Sequence, residues 1–275
     1  MKKHLIAICT TILCCTQVVS AQQSISNQDI QGPCGSPVPD DRWEQAFSEY
    51  VHQFKTNQNA EKSQSQLYTI PVIVHVLHSG QSVGTFPNLA QGQINSQIRA
   101  LNEDYGAVGF NKSNYPISAF TAYAINQSLS PNNLDGLGRV RIANCQVQFC
   151  LATKDTLGNL LPEPGIERIN YVSKGWTNPA SFGTPTGLIN YMNGTIKPAS
   201  IWNVSKYLNI WISDVSSASG LLGFATFPPF ANLSGLNIGS NGTAQTDGVW
   251  CWARSFGSAG TYPSGAYASG YNRGR

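Results

Sequence analysis

Ten consecutive residues, Tyr68-Thr-Ile-Pro-Val-Ile-Val-His-Val-Leu77, hold no charge and are β-branched or apolar almost throughout. A strand with one wet face alternates apolar and polar residues, because successive side chains point to opposite sides. This run does not alternate, so it predicts a strand buried on both faces. Pro71 has no amide to donate and places the start of that strand near a sheet edge or a bulge. Downstream, Gln91 to Tyr105 carries Ile94, Ile98 and Leu101 at helical spacing, the mark of an amphipathic helix with one apolar stripe. Val147, Phe149 and Leu151 alternate as strands do, and Tyr207 to Ile212 is a further apolar strand. Gly223 to Phe227 and Val249 to Ala253 are weaker strand candidates, and Asp155 to Asn159 has turn chemistry. Mixed strands with a helix predict an α/β (α+β) fold, a sheet layer backed by a helix.

The chain divides into three parts before any chemistry is considered. Residues 1–21 have the pattern of an export signal. Lys2 and Lys3 form a basic start, Leu5 to Cys15 an apolar stretch, and Val19-Ser20-Ala21 the small residues before a cut at Gln22. That stretch is shorter than the roughly 20 residues needed to span a bilayer, and no later run reaches that length. The expectation is a secreted protein without a membrane span. Residues 22–66 form a propeptide-like segment and linker. Within it Asp41 and Glu44 suit a capping box, and Trp43, Phe47, Tyr50 and Phe54 recur at helical spacing. Thr56 to Gln66 has no large apolar side chain. The folded domain is expected over residues 67–275. With 41% hydrophobic and 11% charged residues, the chain can build a core. Its net charge of +3 falls to +1 once Lys2 and Lys3 are removed, and no basic run remains, which leaves a nucleic-acid partner unsupported.

Four cysteines follow the leader: Cys34, Cys145, Cys150 and Cys251. Cys145 and Cys150 would lie about 16 Å apart on an extended segment, beyond disulfide reach. Cys150 with Cys251, or partners beyond this sequence, are the open pairings. The four histidines are His4, His52, His75 and His78. His75 and His78 are three residues apart and point to opposite faces of a strand, so they do not share a metal, and His75 reads as a hydrogen-bonded structural residue. No His-Glu-x-x-His, Cys-x-x-Cys, Gly-x-Ser-x-Gly or Walker lysine occurs. Glu103 and Asp104 read as a solvated helix end.

Several segments, taken together and in order, resemble the pappalysin family of metzincin zinc metallopeptidases, in particular its secreted bacterial members. They are Tyr68 to Leu77, Gln93 to Tyr105, Phe149 to Asp155 with Gly158-Asn159, and Gly165 to Arg168. Lys206 to Ile212, Leu221 to Pro228, Asp247 to Trp250 and Ser255 to Gly257 complete the series. The resemblance implies a metzincin-like N-terminal subdomain, a twisted mixed sheet backed by a helix. It also implies zinc-activated hydrolysis of peptide bonds, with protein or peptide substrates. In that family the zinc helix, His-Glu-x-x-His-x-x-Gly-x-x-His, would follow Gly274-Arg275. The catalytic residues and zinc histidines are accordingly expected beyond Arg275, and none lies in this chain. Zinc is implied for the complete protein and not for these residues alone; calcium is left open. The chain is expected to be an inactive front portion, lacking the active-site helix and poorly stable by itself. The alternative is a non-enzymatic exported binding or adhesive module that keeps the same sheet. Latent family members are similar in using a propeptide Cys-Gly to occupy the zinc. Cys34-Gly35 stands at the matching place, which makes Cys34 the candidate metal ligand of this chain.

Cleavage of the leading segment is expected within Thr56 to Gln66, after Lys55 or Lys62, because proteases cut exposed, extended chain. N-terminal sequencing of the mature protein checks this; a start inside the strand from Tyr68 contradicts it.

Overall fold

The computed structural model describes residues 34–36, 45, 48–49, 52–53, 66–109, 144–226 and 243–257. Its centre is β1 (Tyr68–His78), whose residues Val72 to Leu77 are all fully buried. Helix α1 (Gln91–Tyr105) follows, then β2 (Val147–Leu151) and β3 (Ile166–Asn170). A helical layer comes next: α2 (Pro185–Tyr191), a π-helical turn (Met192–Ile196) and α3 (Lys197–Ser200). β4 (Leu208–Ser213), β5 (Gly223–Ala225) and β6 (Val249–Trp252) close the order. The six strands form one mixed sheet in the order β2-β1-β4-β6-β5, with β3 also paired to β1. All pairings are parallel except β5 with β6.

Strands β2 and β3 lie end to end along one side of β1. β2 pairs Tyr68 to Val72, and β3 pairs Val74 to His78. On the other side, β4 starts pairing only at Val72. Pro71 therefore falls where β1 is still a local edge toward β4, so its missing amide leaves no carbonyl unpartnered. Two cores result, one on each face. On the first, Ile94 and Ile98 of α1 pack on Val72, Val74, Val76, Phe149, Ile210 and Ile212. On the second, Leu188, Ile189, Met192 and Ile196 cover Leu77, Ile169, Trp211 and Trp250. The sheet is thus covered on both faces, whereas the sequence predicts only the α1 layer and does not predict β3.

The helical layer forms despite Pro185, Gly187, Gly194 and Pro198, because caps and packing supply what propensity lacks. Thr184 accepts the Gly187 amide at the start of α2, and Pro185 sits in the first turn, where its missing amide costs nothing. In the leading segment, Gln45, Ser48, Glu49, His52 and Gln53 are helical and exposed, while Asp41 and Glu44 of the expected capping box lie outside the described residues. Trp43, Phe47, Tyr50 and Phe54 lie outside the described residues, as do the leader and Lys55 and Lys62.

His75 is fully buried and structural. Its Nδ1 meets Glu167 Oε2 at 2.7 Å, and its Nε2 meets Asn209 Oδ1 at 3.0 Å. The Asn209 amide is oriented by Trp202, whose backbone amide donates to Oδ1 and whose carbonyl accepts from Nδ2. Both ring nitrogens of His75 therefore have an oxygen partner within hydrogen-bond distance. The imidazole also stacks on Trp211 at 4.9 Å. His78 ends β1, with Nδ1 accepting from the Gly80 amide at 3.0 Å. Burial, aided by the Arg168 charge, holds its pKa below the usual imidazole value.

The open pairing of Cys150 with Cys251 is corrected. Three strand spacings separate β2 from β6, about 14 Å, which is twice the reach of a disulfide. Cys34, Cys145, Cys150 and Cys251 are all free thiols.

Replacing His75 with Leu removes both hydrogen bonds and is expected to lower stability by about 2 kcal/mol. Urea unfolding measures it, and an unchanged midpoint would show that the network contributes nothing.

Candidate functional site at the sheet edge

β5 is three residues long and is the last strand on its side of the sheet. An exposed strand edge offers unpaired backbone groups to any extended peptide. Here residues of the leading segment take them. Cys34 forms a parallel bridge with Gly223, and the Gly35 amide donates to the Gly223 carbonyl at 2.9 Å. The Ala225 amide donates to Ser36 Oγ at 2.9 Å, so a hydroxyl stands in for the next backbone acceptor.

Cys34, Gly223 and Cys251 form one row across the segment, β5 and β6. Residues in such a row point to the same face, so both thiols lie on the α1 side, with no side chain at Gly223 between them. Two strand spacings put their Cα atoms about 10 Å apart, too far for a disulfide. Burial, and then the neighbouring Cys34, push the Cys251 thiol up to about 12. Cys251 is therefore inert as a thiolate at neutral pH, while Cys34 is exposed. Gly223 is needed where it stands: a Cβ there would lie 3.0 Å from the Trp250 carbonyl oxygen.

Gly35 turns the other way and is buried. Beneath the edge, Phe224 stacks on Trp250 at 5.6 Å, and the amine of Lys197 sits 4.6 Å from the centre of the Phe224 ring. The same amine lies 5.2 Å from the Trp211 ring and donates to the Thr246 carbonyl at 3.0 Å. Burial outweighs the attraction of Asp247 and lowers the Lys197 pKa from 10.5 to about 7. Burial raises the Asp247 pKa, partly offset by Lys197. On the α1 side, Gln93 Nε2 donates to the Phe256 carbonyl at 2.6 Å, and the Gly257 amide donates to Gln97 Oε1 at 2.7 Å. These two buried amides clamp the chain as it leaves β6.

The sequence singles out Cys34, and the structure brings it to the sheet edge. His75 and His78 do not join it. Lys197, Gln93, Gln97 and the seat around Gly35 are not singled out by the sequence; glutamines inside a helical apolar stripe are the one signal that could have marked the clamp. Among the described residues, no group of three or more His, Cys, Asp or Glu lies close enough to hold a metal ion. Those residues do not fit a zinc ion by themselves; of the two thiols in the row, Cys34 is the exposed one. Among the described residues, no helix is long and apolar enough to cross a membrane.

The charge state of Lys197 makes stability depend on pH. Between about 7 and 10.5 the unfolded chain holds a proton that the folded one has released. Stability therefore rises with pH across that range and is lost as pH falls through 7. Cys251 opposes this above about 9, where the unfolded thiol ionises first. From pH 7 to 9 the rise from Lys197 is expected to be on the order of 1 kcal/mol per unit. Urea unfolding of Lys197→Met should show this rise abolished; an unaltered pH profile would refute it.

No protein-family model matches this sequence, and no curated protein matches it. Among solved structures, the chain is similar to a point mutant of promirolysin from Tannerella forsythia. The TM-score is 0.53 at 26% identity, with 88% of this chain and 64% of that one covered. It is also similar to mature mirolysin of the same organism in complex with a cleaved peptide. There the TM-score is 0.48 at 29% identity, with 77% of this chain and 60% of that one covered. A mirolysin structure in complex with a compound gives a TM-score of 0.48, 30% identity and the same coverage. The chain thus spans less than two thirds of each of these proteins. Mirolysin is a metallopeptidase of the pappalysin and metzincin kind, and the mixed six-stranded sheet described above is consistent with a metzincin-like N-terminal domain.

Proposed function

We propose that this chain is the front portion of a secreted zinc metalloendopeptidase precursor, with residues Cys34 to Ser36 acting as its latency segment. The observation that carries the reading is the seating of Cys34-Gly35 on β5. A leading segment pairs with the edge that an extended peptide would use, and it presents an exposed thiol on the α1 face. The likeness to promirolysin, a precursor form by its name, supports the same reading.

In this reading, zinc would be held by histidines beyond Arg275 and would activate water for attack on the peptide bond. The residues of this chain bind and orient. β5 supplies backbone donors and acceptors to an extended peptide, which gives affinity with little side-chain discrimination. The Gln93 and Gln97 clamp fixes the path of the chain after β6. Cys34 would supply a sulfur ligand to that metal while the leading segment stays in place. Cleavage in the linker would release the leading segment from the β5 edge. Export by residues 1–21 belongs to the same proposal.

Replacing Cys34 with Ala in the natural secreted precursor is expected to bring forward the loss of residues 22–66. A time course of processing by gel and N-terminal sequencing measures this. A variant as latent as the parent would rule out Cys34 as the blocking ligand.

A further inference from the structure

Backbone pairing along an edge strand is blind to sequence, so selectivity depends on what the alternate side chains meet. On β5 the outward position belongs to Cys34, which is exposed, and the inward one to Gly35. A Cβ on Gly35 would lie 2.8 Å from Ile189 Cδ1, 2.9 Å from Leu221 Cδ1 and 3.2 Å from Phe224 Cβ. The first two contacts are methyl ends, which can turn aside where there is room. There is little: Ile189, Leu221 and Phe224 are respectively 0%, 1% and 3% exposed. Phe224 is also held by contacts with the Trp250 ring and the Lys197 amine. Ile189 sits on α2, whose first turn is fixed by the Thr184 cap. The notch is therefore full before any side chain enters it.

We infer that the notch between Ile189, Leu221 and Phe224 is a selectivity filter, which accepts glycine at the inward position of a peptide strand seated on β5 and rejects larger residues. It works by exclusion, since a larger residue there must either displace packed methyls or give up the bond to the Gly223 carbonyl. This rests on the reading of β5 as a peptide seat and narrows it to one occupant: a leading segment that seats in the register of residues 34–36 carries glycine at the inward position. Gly35 is then required for seating, while Cys34 is free to serve the other face. Alanine should be partly tolerated by rotation of the two methyl groups. A β-branched residue adds two further heavy atoms with no space to take them.

The test uses the full chain with Gly35→Val, which displaces the built-in segment and opens the edge. Near-ultraviolet circular dichroism checks that its core is intact. Fluorescent peptides covering residues 30–42, with Gly or Val at position 35, are titrated under reducing conditions and followed by anisotropy. The Gly peptide is expected to bind, and the Val peptide to bind at least about ten-fold more weakly. Adding Leu221→Ala to the chain should shrink that gap to about three-fold or less, because the notch then has room. Equal binding of the two peptides, or a gap unmoved by Leu221→Ala, overturns the filter and leaves the peptide seat standing. Failure of both peptides to bind overturns the seat and the filter together.

Discussion

Glu167, His75, Trp211, Trp250 and Phe224 occupy one register line across β3, β1, β4, β6 and β5. The carboxylate holds the imidazole, the imidazole stacks on Trp211, and Phe224 stacks on Trp250. The Lys197 amine lies over both Trp211 and Phe224. A slip of one residue in any strand would turn its member of the line to the opposite face and bury the wrong set. The line therefore fixes the register of the sheet. It also decides where β5, the shortest of the described strands and the one that carries the site, comes to rest.

The two faces of the sheet do different work because of this. The α2 and α3 side is packed with large rings around one buried amine, and it forms the rigid floor of the edge. The α1 side is held by two glutamines that grip the chain after β6, and it is the side to which Cys34 points. Alternation along an extended segment links the two: adjacent residues read opposite faces. Cys34 and Gly35 are neighbours in sequence, yet one meets solvent and the other meets the core. Covering β5 with the leading segment also removes an open strand edge, a general hazard of sheets.

Much of the fold was legible in the sequence because its signals were local. The apolar run of β1, the stripe of α1 and the strand after Lys206 each carry their period within a dozen residues, and all three stand where the pattern puts them. The sequence does not mark β3, because Ile166-Glu-Arg-Ile-Asn170 is short and its polar residues have the pattern of an outward-facing segment. Glu167 in fact turns to His75, while Arg168 pairs with Glu163 and donates to Asn88. The sequence does not mark the helical layer, because proline, glycine and β-branched residues argue against helix, and burial against Trp211 and Trp250 overrides that preference.

The sequence by itself determined that the chain has a strand covered on both faces and a helix laid on the sheet, with His75 in a structural role. It also marked Cys34-Gly35 through resemblance to a metallopeptidase family. Only the tertiary structure decided that Cys34 bridges to Gly223 and that Gly35 fills a notch lined from α2, from β5 and from the loop before it. The same holds for the lysine that lies beneath the edge. The physical reason is range. Periodicity is set by neighbours three or four residues apart, whereas Gly35 meets residues more than 150 positions away, and no local pattern records which distant side chains will close around it.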